Sequence, residues 1–273
     1  MKRTLLNGAL IGACIIGGLA SCGNNKVDPL ADGVLTIGLE CAYSPYNFTE
    51  YSQNENNIQI NGTTEYCGGY DILIANEIAK DLGVRVEVVR CEWDGLIPQL
   101  QSGAIDAIIA GMTDTPERRN SIDFTDEYYS SQLVIVTNRA NASATQVSDF
   151  TGKKLVAQLG TVQADLITSL AESDGIIAAN PTVTYPEAFT ALQAGTVDGV
   201  VCERPVATDF LASSLGEGYQ EVVMEGNADF IVSVSIGISK NAVSTYKDQL
   251  NASLAKISTA RRTELMNIAT GAN

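Results

Sequence analysis

The sequence predicts an α/β protein whose strands form mainly parallel sheets flanked by helices. Two observations lead there. Apolar, β-branched strands alternate with amphipathic helices along the first part of the chain, and a helix–glycine–strand unit at residues 100–109 returns at 192–201. Strands that alternate with helices and are apolar on both faces belong to a parallel sheet covered on both sides.

The elements follow in order. Residues 34–40 (Val-Leu-Thr-Ile-Gly-Leu-Glu) read as a buried strand, and the Asn-, Gln- and Thr-rich residues 51–66 as a surface excursion. Gly68, Gly69, Tyr70 and Asp71 then lead into a helix to about Leu82. Ile72, Ala75, Ile78, Ala79 and Leu82 share one face of it, with Asp71 as the expected cap and Gly83 as the stop. Residues 84–89 form a second strand, Asp94 opens a short helix that Gly103 closes, and residues 105–110 form a third strand. In the repeated unit, Asp106 and Asp198 fall at the same place after a glycine stop. The repeat reads either as convergence on a common helix–glycine–strand grammar or as two similarly wound lobes. The first unit's strand runs into Ala110-Gly111-Met112-Thr113 and the second's into Cys202-Glu203-Arg204. Ligands of open α/β sheets sit at the carboxyl ends of the strands, so two lobes presenting these ends to each other would make a cleft.

The amino terminus reads as a leader. Lys2 and Arg3 precede an uncharged apolar run over residues 5–20, too short and glycine-rich for a membrane span and suited to a secretory signal. It ends in Leu19-Ala20-Ser21-Cys22, which resembles the lipobox of bacterial lipoproteins; Cys22 would then be diacylated and become the new amino terminus. Residues 1–21 are expected as signal and 22–32 as a polar tether. Of 17 basic residues two lie in the signal, which leaves 15 against 32 acidic ones, a net charge of −17. Such a surface argues against nucleic acid and against charge-driven binding to anionic lipid, and leaves the lipid anchor as the route to the membrane.

The roughly 250 remaining residues suit one large domain or two lobes. The absence of histidine removes the commonest general base, the serine–histidine triad and the usual zinc ligand. Cys41, Cys67, Cys91 and Cys202 match no metal spacing; they read as disulfide partners or as free thiols. No metal or cofactor is expected.

Several stretches together resemble the polar amino-acid family of bacterial extracellular solute-binding proteins, which serve ABC importers. They are residues 93–98 (Trp-Asp-Gly-Leu-Ile-Pro), 111–119 (Gly-Met-Thr-Asp-Thr-Pro-Glu-Arg-Arg), 122–125, 69–71, 152–154, 159–161 and 198–199. The resemblance spans about residues 33–268 and implies a two-lobed periplasmic-binding-protein-like fold joined by a two-strand hinge. Lobe 1 would be residues 33–128 plus 236–273, lobe 2 residues 133–230, and the hinge 129–132 and 231–235. The family reading implies capture of a free amino acid, delivery to permease subunits, an extracytoplasmic location and a monomer.

It also implies a site. Arg118, near a helix start capped by Thr115, would hold the ligand carboxylate bidentately, with Thr113 beside it. From lobe 2, Val162 and Gln163 would add donors at a helix start. Glu203 and the Gly111 carbonyl would take the ammonium, and Tyr43 and Trp93 would sandwich the side chain. Glu40 and Gln158 would read its far end, favouring arginine or lysine, then glutamine. Two other classes compete: an enzyme on the same fold, such as a cyclohexadienyl dehydratase with Glu40 or Glu203 as base, and a sensory ligand-binding protein acting through a separate partner.

Overall fold

The computed structural model describes residues 26–141, 143–226 and 228–271, so the expected signal and Cys22 lie outside the described residues. The first lobe begins with β1 (Val34–Leu39) and a small antiparallel sheet of β2 (Ala42–Tyr43), β3 (Asn47–Glu50), β4 (Ile58–Gln59) and β5 (Tyr66–Gly68). It continues through α1 (Tyr70–Leu82), β6 (Arg85–Arg90), α2 (Leu96–Ser102), β7 (Ala107–Ile108), α3 (Pro116–Arg119) and the long β8 (Asp123–Asn138). The second lobe carries β9 (Lys154–Val156), α4 (Val162–Ser173), β10 (Ile177–Ala178), α5 (Tyr185–Gln193), β11 (Gly199–Glu203), α6 (Arg204–Ala212) and β12 (Tyr219–Val223). The chain returns through β13 (Ile231–Ile238) to α7 (Ser244–Lys256) and α8 (Thr259–Thr270).

In lobe 1, β1 pairs in parallel with β6 and β7; in lobe 2, β9 pairs in parallel with β10 and β11. The two halves meet at β8. Up to Gln132 this strand pairs antiparallel with β13; from Leu133 onward it pairs with β11 and β12. The residues expected as hinge are the rungs just before that change of partner, Tyr129 opposite Val234 through Gln132 opposite Ile231, with an irregularity at Val234/Ser235.

The repeated unit proves to be structural. The Asp106 amide donates to Thr36 O at 2.8 Å while its carboxylate takes the Thr36 N–H at 2.8 Å. Asp198 does the same with Lys154, at 2.7 and 2.7 Å. In each lobe an aspartate at the strand entrance thus holds a residue of a neighbouring parallel strand through both its amide and its carboxylate.

Three local expectations change. Asp71 does not cap α1: the cap position is Gly69, and Asp71 turns into the core, where it accepts from Asn47 Nδ2 at 2.8 Å and the Tyr128 hydroxyl at 2.6 Å. Gly69 has φ 111°, and a Cβ there would lie 2.5 Å from Tyr46 O, so only glycine fits this entrance. The third strand shrinks to Ala107–Ile108, although Ile105, Ile109 and Ala110 are buried as expected. The excursion at 51–66 is not wholly at the surface, since Ile60 is buried and Asn61 N–H bonds Val88 O at 2.8 Å, which covers the outer edge of β6.

Lobe 2 has its own apolar cluster around Leu133, Ile135, Leu155 and Val201. The core of lobe 1 continues across the cleft through Tyr43, stacked on Tyr185. Cys41, Cys67, Cys91 and Cys202 are free, buried thiols. Among the described residues no helix is long and apolar enough to cross a membrane.

Candidate functional site

The carboxyl ends of β1, β7, β9 and β11 converge between the lobes. Every residue expected at the site except Glu40 lines one small cavity there, and Thr161 and Tyr185 line it as well. Its volume is about 10 Å³, close to what a single water needs. The side chains therefore fill the site, and anything the size of an amino acid enters only when the lobes part.

Arg118 is placed by a short helix with a built-in stop and start. Thr115 caps α3 by accepting the Arg118 N–H at 3.2 Å, and Pro116 sets the first turn. The guanidinium donates to Thr113 O at 2.6 Å within its own lobe and to Gly160 O at 3.0 Å across the cleft. It also lies 5.3 Å above the Trp93 ring, whose Nε1 donates to the same Gly160 O at 3.1 Å. Burial pulls its pKa below the usual arginine value. Its neighbour Arg119 differs: it is exposed and forks onto Asp114. Among the described residues Arg118 has no carboxylate hydrogen-bond partner, which leaves a fork donor free to exchange carbonyls for an anion.

Glu203 ends β11 and is 1% exposed. The Tyr43 hydroxyl donates to its Oε2, and Gln163 hydrogen-bonds it as well. Burial raises its pKa, against the pull of those bonds. Arg204 does not pair with it and instead meets Glu221 at 2.9 Å. A buried carboxylate whose partners are neutral donors is suited to receive a cation.

The first turn of α4 brings Val162 and Gln163 to the cavity, with Thr161 as cap through its bond from the Ala164 N–H. Gly111 has φ 62°, and a Cβ there would come within 3.1 Å of the Tyr43 ring. Its N–H donates to the Tyr128 hydroxyl at 2.9 Å, which in turn donates to Asp71. Asp71, buried and held up to a pKa of about 7 by that burial, thus fixes the backbone at the cleft floor through one tyrosine.

Two expectations about the side-chain end change. The faces of Tyr43 are taken by Tyr46 (centroids 5.2 Å apart) and Tyr185 (4.8 Å), and Trp93 lies over Arg118, so Tyr43 and Trp93 do not form an open sandwich. Glu40 is buried behind the cavity wall, where Gln158 Nε2 bridges both its oxygens at 3.0 Å and reaches Val183 O at 2.9 Å. Burial lifts Glu40 to a pKa of about 7; the Gln158 bond opposes this, and Glu92 and Asp94 add to it. Among the described residues no group of histidine, cysteine, aspartate and glutamate could hold a metal.

Comparison with known proteins bears on this geometry. The family model for bacterial extracellular solute-binding proteins, family 3, matches residues 35–267. The chain is 33% identical over 211 residues to a probable histidine-binding protein of Campylobacter jejuni, covering 74% of this chain and 76% of that one. Structures of an ancestral arginine-binding protein superpose with a TM-score of 0.71. The one bound to arginine is 31% identical and covers 86% of this chain and 97% of that one. The one bound to glutamine is 32% identical, with 88% and 98% covered. An ancestral amino acid-binding protein, AncCDT-1, a precursor of cyclohexadienyl dehydratase, matches at TM-score 0.71 and 27% identity over 88% of this chain and 96% of that one.

Proposed function

This chain belongs to family 3 of the bacterial extracellular solute-binding proteins, and from that premise we propose that it captures a free L-amino acid and delivers it to an ABC importer. The observation that carries the reading is one cavity with opposite charges on its two sides. Arg118 and the α4 amino terminus line one side, where an anion would be held, and Glu203 with Tyr43 the other, where a cation would be held. A zwitterion satisfies both sides only when the lobes are together, so binding and closure are one event. In this proposal Arg118, Thr113, Val162 and Gln163 hold the carboxylate. Glu203 and the Gly111 carbonyl hold the ammonium, and the β8–β13 rungs at 129–132 and 231–235 flex.

The proposed ligand is basic, arginine or lysine, ahead of glutamine. Glu40 supports this, because Gln158 can swing from it and leave a carboxylate for a guanidinium or ammonium. The histidine-binding relative and the arginine-bound ancestor support a basic ligand; the glutamine-bound form keeps glutamine second. The test is calorimetric titration of residues 22–273 against the common amino acids. A basic amino acid should bind one to one, and at 100 times its dissociation constant should stabilise the fold by about 2.7 kcal/mol. Binding by none of them would end the reading.

The same cleft offers a second reading, since AncCDT-1 connects this fold to a dehydratase and Glu203 is a buried acid of raised pKa. We propose capture without turnover; phenylpyruvate formed from prephenate by the purified protein would reverse that choice. Attachment is proposed through a lipid on Cys22. Cys22→Ala should move the protein from the membrane fraction to the soluble one, and a wild type already in the soluble fraction would dismiss the anchor.

A further inference from the structure

A second cavity lies on the far side of Tyr185 from the amino-acid site. It has a volume of about 510 Å³, within the 300–1,000 Å³ typical of small-molecule pockets. Its walls come from both lobes: the segment Cys41–Ser44 and Phe48 from lobe 1, and α5 and α6 from lobe 2. Phe189 and Phe210 stack along one wall at 4.1 Å with planes 7° apart, and Leu215 stands 59% exposed at the rim. An open concavity lined by such side chains leaves apolar surface in water that an occupant would cover.

One charge breaks the apolar lining. Asp209 is the only ionisable acid or base among the described residues around the cavity apart from Cys41 and Tyr185, and it is half-buried. It bonds Ser44 across the lobes, and burial raises its pKa. Among the described residues no cation is paired with it in this cavity. A carboxylate beside stacked rings selects a ligand with an ammonium at one end and an apolar body at the other.

We propose that this interlobe cavity is a second binding site for a small arylalkyl or alkyl amine, with its ammonium on Asp209 and its body against Phe189, Phe210 and Phe48. Because the cavity exists only where the lobes meet, its occupant holds them together and strengthens amino-acid binding, and the amino acid strengthens the amine by the same factor. This second step rests on the capture function proposed above; binding of the amine itself does not.

The test uses phenethylamine as probe on residues 22–273. Calorimetry should show saturable one-to-one binding without any amino acid. Affinity should fall roughly tenfold in Asp209→Asn and roughly tenfold again for the neutral analogue 2-phenylethanol on wild type. With saturating arginine present, phenethylamine should bind several-fold tighter. Three results would each overturn the site: no binding up to about 10 mM, an Asp209→Asn variant of unchanged melting temperature that binds as well as wild type, or mutual displacement by arginine, which would put the amine in the amino-acid cavity. Failure of every common amino acid to bind, with phenethylamine still bound through Asp209, would strike the capture reading and leave the second site standing.

Discussion

Arg118→Ala should lose amino-acid binding almost entirely and keep the fold. The guanidinium's hydrogen bonds run to two carbonyls, Thr113 O and Gly160 O, and its other contact is the Trp93 ring. None of these is an ion pair that the fold needs. The cap of α3 uses the Arg118 main-chain N–H, which alanine keeps. The fold should therefore lose a few kcal/mol at most, partly offset because a buried charge is removed. Ligand binding should lose far more, because the carboxylate would enter a cavity with its fork donor missing. Removing one partner of a buried charge pair costs about 2–5 kcal/mol, or roughly thirty- to several-thousand-fold in affinity. Arg118→Lys should fall between, since an ammonium keeps the charge and loses the planar fork. Arg119→Ala is the control: its partner Asp114 lies outside the cavity, and affinity should not move. Calorimetry that gave Arg118→Ala the wild-type affinity would remove the carboxylate assignment.

Much of this frame was legible from local grammar. Gly83 and Gly103 both end helices in the left-handed conformation, as their positions after apolar helical runs predict. The parallel between Asp106 and Asp198 could be seen as spacing, and each makes the same pair of bonds. Arg118 and Glu203 were expected at the site because the family resemblance implies them there, and both line the cavity. What escaped depends on partners far away in sequence. Asp71 looked like a cap because its spacing suits one; Asn47 and Tyr128, 24 and 57 residues away, turn it inward. Tyr185 opens a helix with no local sign that its ring reaches the cleft, and only stacking on Tyr43 puts it there. The bond from Gln158 to Glu40 joins residues 118 apart, and nothing in either segment announces it.

That bond makes Glu40 the test of ligand class. Burial holds its pKa up at about 7, so it loses charge as the pH falls below neutrality. A cationic side chain binds the ionised form and drags the pKa down, so arginine binding releases a proton at low pH. Arginine affinity should be level above about pH 7 and fall by up to about tenfold per pH unit below it. A neutral glutamine ligand should show a much flatter profile. Glu40→Gln should weaken arginine and remove that slope; any slope that persists belongs to Glu203 or Asp71, whose pKa values burial also raises. The sign for stability is opposite. A carboxyl whose folded pKa lies above its unfolded value near 4.5 contributes stability that is complete below that value and is lost as pH rises through 7. At pH 8 the unliganded Glu40→Gln protein should therefore be more stable than wild type, by on the order of 3 kcal/mol at most. Urea unfolding reads the second effect and calorimetry the first. A variant that unfolds later and binds arginine worse supports a buried carboxylate kept for a cation. Arginine affinity that ignores both pH and the Glu40→Gln change would leave the basic-ligand reading without its carboxylate.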